Sequence, residues 1–111
     1  MLEHLDELDD TLSDAVNVLT DNTGVYPADF QDTVDNAVAL LQKTQNYREE
    51  ESEEEMLDAL KGNLDELKAL NNDIDAYASK LTAISAGVKK VGDIVGTVVS
   101  VLTTVVSAGI I

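Results

Sequence analysis

The chain has 111 residues, 22 of them acidic and 7 basic, and its formal net charge is −15. Such a surface lacks the basic patch that binding to nucleic acid needs, and anionic lipid headgroups repel it. The absence of Cys excludes disulfides and thiolate chemistry. The length predicts one domain, and the scarcity of Gly and Pro favours helices.

The first predicted helix spans residues 2–20. Its apolar residues recur at spacings of three and four, which places them on one helix face: Leu5, Leu8, Leu12, Ala15 and Leu19. Acidic residues crowd its first turns, where the helix dipole favours negative charge. Residues 21–24, which end in Gly24, then indicate a stop and a turn.

The second predicted helix spans residues 27–48 and begins at Pro27, a residue that suits the first turn of a helix. Its apolar stripe consists of Phe30, Val34, Ala37 and Leu41. The run 49–55 that follows is almost entirely Glu, and like charges resist close packing. We therefore expect an acidic linker or an exposed helix extension there.

A heptad pattern begins at Leu57 and continues for about seven heptads. It predicts one long helix over residues 56–110, with a break at 71–73 as the alternative. That helix would be about 80 Å long, so it must bend, break or share its stripe with other copies. The predicted fold is all-α: an elongated helical hairpin or bundle, with two shorter N-terminal helices and one long C-terminal heptad helix that ends in an apolar tail.

The tail, residues 94–111, has no charged side chain and is mostly Val, Ile and Leu. It must be buried in an assembly of copies, in a bilayer or in the chain's own bundle. Gly92 and Gly96 have the spacing that lets helices approach closely. Asn71 either fixes the register and number of packed helices or lies half exposed at a weak point of the stripe. The predicted helix-packing or oligomer-interface residues are Leu57, Leu60, Leu64, Leu67, Asn71, Ile74, Leu81, Val88, Gly92, Val95, Gly96, Val99, Ser100, Leu102 and Val106.

Lys89 and Lys90 stand just before the tail. If the tail enters a membrane, they are expected at its headgroup edge on the cytoplasmic side. The tail gives about 27 Å of helix, slightly less than a hydrocarbon core of about 30 Å, and Asp93 counts against deep insertion. No cleavable signal peptide is visible, which leaves a cytoplasmic location, export without a cleaved signal and secretion after processing open.

Catalytic and metal-binding patterns are weak. His4 is the only His and is expected on the surface among acids. Residues 21–32 begin like a calcium loop, but Val25 and Asp32 do not fit its fifth and twelfth positions. No arrangement of nucleophile and base and no phosphate loop occurs. We expect no enzymatic activity, no cofactor and no metal.

Three functions fit these patterns. The first is a self-assembling structural protein, a homo-oligomer whose C-terminal helix packs in the core of an oligomer, filament or shell. The second is a membrane-active protein, either a helical pore-former or a tail-anchored factor, that inserts residues 88–111 into a bilayer or a detergent micelle. The third is a soluble monomeric bundle that acts as an adaptor or carries an apolar ligand.

Overall fold

A computed structural model of the chain describes residues 5–21, 27–81 and 86–109, with side chains up to residue 107. Its helices are α1 (Leu5–Asp21), α2 (Gln31–Gln45), α3 (Glu53–Lys80) and α4 (Ala86–Gly109). Two short 3-10 turns, Ala28–Phe30 and Asn46–Glu49, flank α2. The described ranges contain no strand, and the all-α prediction is confirmed. Several positions of the predicted elements lie outside the described residues: 2–4, the turn at 22–24, Val25 and 110–111.

The four helices pack side by side in a ring. α1 contacts α2 and α4, and α3 contacts the same two helices. α3 and α4 are antiparallel: Gly92 of α4 lies against Ile74 of α3, whereas Gly96 lies nearest Asn71, one turn earlier in α3. The result is a compact globule with extents of 46 × 23 × 18 Å, the arrangement typical of antiparallel helices joined by short connections.

The core lies along the axis of this ring and is almost entirely apolar. The stripes predicted for the first two helices point into it, except that Leu5 is only half-buried. Burying one Val, Leu or Phe side chain contributes about 1.5–3 kcal/mol relative to exposure. The buried residues of these helices are Leu8, Leu12, Ala15 and Leu19 of α1, Phe30, and Val34, Ala37, Leu41 and Thr44 of α2.

The prediction of a single helix over 56–110 was wrong. α3 ends at Lys80, Leu81 is extended with φ −76° and ψ 138°, and α4 begins at Ala86. The alternative break at 71–73 was also wrong, because α3 is continuous there. A hairpin buries the apolar stripes of α3 and α4 against each other within one chain, which a continuous helix cannot do. The connection at 82–85 falls outside the described residues.

The acidic run 49–55 is divided between the turn after α2 and the first turn of α3. α3 starts at Glu53 rather than at Met56, because Ser52 caps it. The Ser52 hydroxyl oxygen accepts from the backbone N–H of Glu55 at 3.1 Å, and the Glu55 carboxylate accepts from the N–H of Glu51 at 3.4 Å. This Ser-x-x-Glu sequence is that of a capping box, although Glu55 bonds the residue before the N-cap rather than Ser52 itself. The acidic side chains favour the positive end of the helix dipole.

α2 is shorter than predicted, since the regular helix covers Gln31–Gln45 instead of residues 27–48. The 3-10 turn before it places Phe30 in the core, and the one after it buries Tyr47. Both aromatic residues therefore lie at ends of the bundle, where the chain changes direction.

A polar cluster ties α1 to the turn after α2. The Tyr47 hydroxyl donates to one carboxylate oxygen of Asp9 at 2.8 Å, and Arg48 donates to the other from Nη2 at 2.6 Å and from Nε at 3.0 Å. At the opposite end the Tyr77 hydroxyl donates to Asp29 at 2.6 Å, and its ring lies 4.8 Å from that of Phe30. These contacts fix both ends of the helix ring.

The Tyr47 hydrogen bond makes stability depend on pH in the alkaline range. Burial, followed by the hydrogen bond to Asp9, raises the pKa of Tyr47 to about 12. Because unfolded Tyr ionises near pH 10, this contribution is complete below about pH 10 and is lost as the pH approaches the folded pKa. We expect Tyr47→Phe to lower the free energy of unfolding by about 1–2 kcal/mol at pH 8, and by less at pH 11. Urea denaturation at both pH values measures this. An equal loss of unfolding free energy at both pH values would contradict the assignment of the raised pKa to Tyr47.

Candidate functional site

Helix α4 has two faces of different chemistry. One face carries a stripe of buried residues spaced by three and four: Val88, Val91, Val95, Val98, Leu102 and Val105, with Val106 buried beside it. On the opposite side the side chains are exposed, and beyond Asp93 they all carry hydroxyls: Thr97, Ser100, Thr103, Thr104 and Ser107. We call these five residues the uncharged face. With about 100° of rotation per residue, Ser100 lies at its centre.

The uncharged face differs from the outer faces of the other helices. α1 exposes Asp6, Asp10 and Asp14, and α3 exposes residues such as Asp65 and Asp73. From residue 94 to 111 the sequence has no ionisable side chain. On a chain of net charge −15, this is a surface that another molecule can approach without meeting a carboxylate.

The three threonine hydroxyls on this face already donate within the helix. The Oγ1 atoms of Thr97, Thr103 and Thr104 donate to the carbonyl oxygens four residues earlier, at 2.9, 2.7 and 3.1 Å. A hydroxyl that already donates within its own helix gives up fewer hydrogen bonds when water is removed from it. Covering the uncharged face therefore costs less than its polar composition indicates.

The charged residues of α4 lie in its first two turns. Lys89, Lys90 and Asp93 are all exposed. By length and composition the segment Ala86–Ser107 is apolar enough to cross a membrane, and 33% of that stretch is buried inside the protein. The candidate membrane-edge lysines thus stand at one end of the most apolar helix.

A groove of about 610 Å³ separates the outer edges of α3 and α4. Asn71, Ala78, Gly92 and Gly96 line it. A Cβ at Gly92 would stand 3.3 Å from Cγ2 of Ile74 and one at Gly96 would stand 4.0 Å from Oδ1 of Asn71. Gly92 therefore marks a close approach of α4 to α3 of the same chain, whereas the space at Gly96 would accept a Cβ at ordinary contact distance.

Most of the predicted interface residues pack inside the bundle. Ala78, although on the heptad, is exposed, and among the predicted residues only Ser100 belongs to the uncharged face. The buried members of the set are Leu60, Leu64, Leu67, Ile74, Val88, Val95, Leu102 and Val106, and the half-buried ones are Leu57, Asn71, Leu81, Gly92, Gly96 and Val99. Their burial shows helix packing in this chain and leaves the uncharged face as the candidate site.

Three buried residues of α4 were not predicted: Val91, Val98 and Val105, which are at most 2% exposed. They lie outside the heptad frame that begins at Leu57, because α4 is rotated relative to that frame. The series 88, 91, 95, 98, 102 and 105, read from α4 alone, has the spacing of a buried stripe and would have identified them.

The polar cluster of Asp9, Tyr47 and Arg48 was also missed, because nothing in the local sequence connects α1 to residues almost forty positions later.

Comparison with protein families, with curated proteins and with solved structures finds no match to this chain.

Proposed function

We propose that this chain is a non-enzymatic helical protein that self-assembles, with the uncharged face of α4 as the contact between copies. One observation carries the proposal: the outer side of α4 is exposed yet has no charge beyond Asp93, on a chain of net charge −15. The apolar stripe fills the core of each molecule, and the hydroxyl-bearing side is the one left for a second copy.

The size of the face limits the strength of this contact. A helix of 24 residues is about 36 Å long, so one side of it offers a few hundred Å². Stable interfaces bury about 800 Å² per partner. Assembly through α4 therefore needs flanking surface from its neighbours, and we expect affinities in the micromolar range or weaker.

Electrostatic repulsion opposes the contact. Two copies bring two charges of −15 together, and salt screens this repulsion over a Debye length of about 8–10 Å at physiological ionic strength. Higher salt is therefore expected to strengthen assembly, the opposite of its effect on a contact held by ion pairs.

Insertion of α4 into a bilayer is the second candidate function. It is favoured by the length and apolar character of Ala86–Ser107 and by the three threonine hydroxyls that donate within α4. α4 follows the other three helices in the chain, so it can leave while they remain connected. Against this, release exposes the apolar residues of α1 and α3 that α4 covers, and Asp93 opposes deep insertion.

One experiment separates the two functions. Sedimentation velocity of the wild-type chain from micromolar to submillimolar concentration, at low and at 1 M NaCl, measures assembly. Flotation with phosphatidylcholine vesicles at pH 5 and pH 7 measures membrane binding. Self-assembly predicts masses that rise above 11.9 kDa with concentration and salt, without flotation. A monomer that floats favours insertion, and a monomer that does not float eliminates both.

A further inference from the structure

A second site lies where α2, the turn at 46–49 and the first part of α3 meet. The pocket there has a volume of about 390 Å³. It lies on different helices from the uncharged face and is independent of the proposed assembly. The residues that matter for its chemistry are Lys43, Glu49, Glu50, Asp58, Asn63 and Glu66.

The pocket carries more carboxylates than the protein's own cations neutralise. Lys43 Nζ pairs with Oε2 of Glu66 at 3.2 Å. Across residues 5–21, 27–81 and 86–107, no cationic side chain pairs with the carboxylates of Glu49, Glu50 or Asp58. Three negative charges therefore surround the cavity without a counter-ion from the described chain.

Asn63 indicates that this is more than a solvated acidic surface. Its side chain is 5% exposed, it lines the pocket, and its amide makes no hydrogen bond to another described residue. A buried amide without a partner is costly, because it has lost its hydrogen bonds to bulk water. A donor that enters the pocket would satisfy the amide oxygen.

We propose that this pocket binds a linear organic cation with guanidinium or alkylammonium groups. Within the described ranges no three His, Asp or Glu side chains are placed to hold a metal ion. Carboxylates spread over a turn and a helix suit a longer molecule whose positive groups are separated along a chain. Guanidinium N–H groups bond carboxylates in pairs, and another N–H can donate to Asn63.

A substitution at Gly62 would fill the pocket without removing a charged side chain. It lines the cavity, and a Cβ built on it meets nothing within 4 Å. A larger side chain at this position is expected to occupy the space that the ligand uses. Replacing an exposed Gly within a helix also improves helix propensity, so Gly62→Leu is expected to fold.

Calorimetric titration with agmatine, a guanidinium joined to an amine by four carbons, tests the proposal. We expect one saturable site in 0.15 M NaCl, weakened roughly tenfold by Asp58→Asn, since one charge-assisted hydrogen bond is lost, and abolished by Gly62→Leu. The matched control is Asp65→Asn, which removes an exposed carboxylate of α3 outside the pocket and should leave affinity unchanged. Titration without saturation, equal loss in both Asn variants, or full binding by Gly62→Leu would overturn the proposal.

Discussion

Replacing Val98 by Asp is expected to unfold the bundle at neutral pH. Val98 has no exposed surface and belongs to the apolar core that α4 shares with α1 and α3. A carboxylate at this position would be buried without a cation, which destabilises proteins by about 4 kcal/mol or more. Because small domains unfold at a cost of only about 5–15 kcal/mol, one such change removes much or all of the stability.

Thr97→Asp is the matched control for this substitution. It adds the same carboxylate one residue earlier, on an exposed position, and is expected to change the free energy of unfolding by less than about 0.5 kcal/mol. Far-UV circular dichroism during urea denaturation, at a concentration where the chain is monomeric, compares both variants with the wild type. A wild-type midpoint for Val98→Asp would mean that α4 does not contribute to the core.

The second large effect is expected on assembly. Ser100→Glu together with Thr104→Glu places two carboxylates one turn apart near the centre of the uncharged face. In an assembly built on this face they would lie at the contact, close to their counterparts in the next copy, where like charges cost several kcal/mol. We expect a monomer at every concentration and a stability within about 1 kcal/mol of the wild type.

Ser13→Glu together with Asn17→Glu separates this local effect from the added charge. Both positions are exposed on α1, have the same four-residue spacing and gain the same charge. Net repulsion alone should weaken assembly slightly in this variant. A comparable loss of assembly in both pairs would show that the total charge, and not the α4 face, controls the contact.

The sequence was most informative where burial is decided locally. The stripes of α1 and α2 were predicted because each lies within one helix, and their periodicity survives without knowledge of the partners. The hairpin between α3 and α4 was not predicted. Leu81 and Val88 both keep the heptad register of α3, so the sequence shows no interruption between the two helices. The buried stripe of α4 is nevertheless rotated, since it includes Val91, which lies outside that register.

Helix boundaries were harder to predict, although one signal was available. Ser52 and Glu55 have the Ser-x-x-Glu spacing of a helix start, and Ser52 caps α3, whereas the acidic run around them favoured a linker. The start of α2 depends on a 3-10 turn that places Phe30 in the core. Tertiary packing, rather than the local sequence, therefore determines where α2 starts.

The candidate sites illustrate the same limit. The lack of charge in the tail was visible in the sequence, but which side of α4 is buried depends on α1 and α3. The exposed hydroxyl series and the buried Val series emerge only when α4 is taken as a separate helix. The pocket around Asn63 combines α2, a turn and α3, and no spacing along the chain brings those residues together.

Light scattering of the wild type and the two charge-pair variants, side by side at the highest concentration used for sedimentation, tests whether copies meet through α4. We expect 11.9 kDa for Ser100→Glu with Thr104→Glu, and an assembled mass for the wild type and for Ser13→Glu with Asn17→Glu. An assembled mass for the α4 variant, while its circular dichroism shows an intact fold, would contradict the assignment of the uncharged face as the contact between copies.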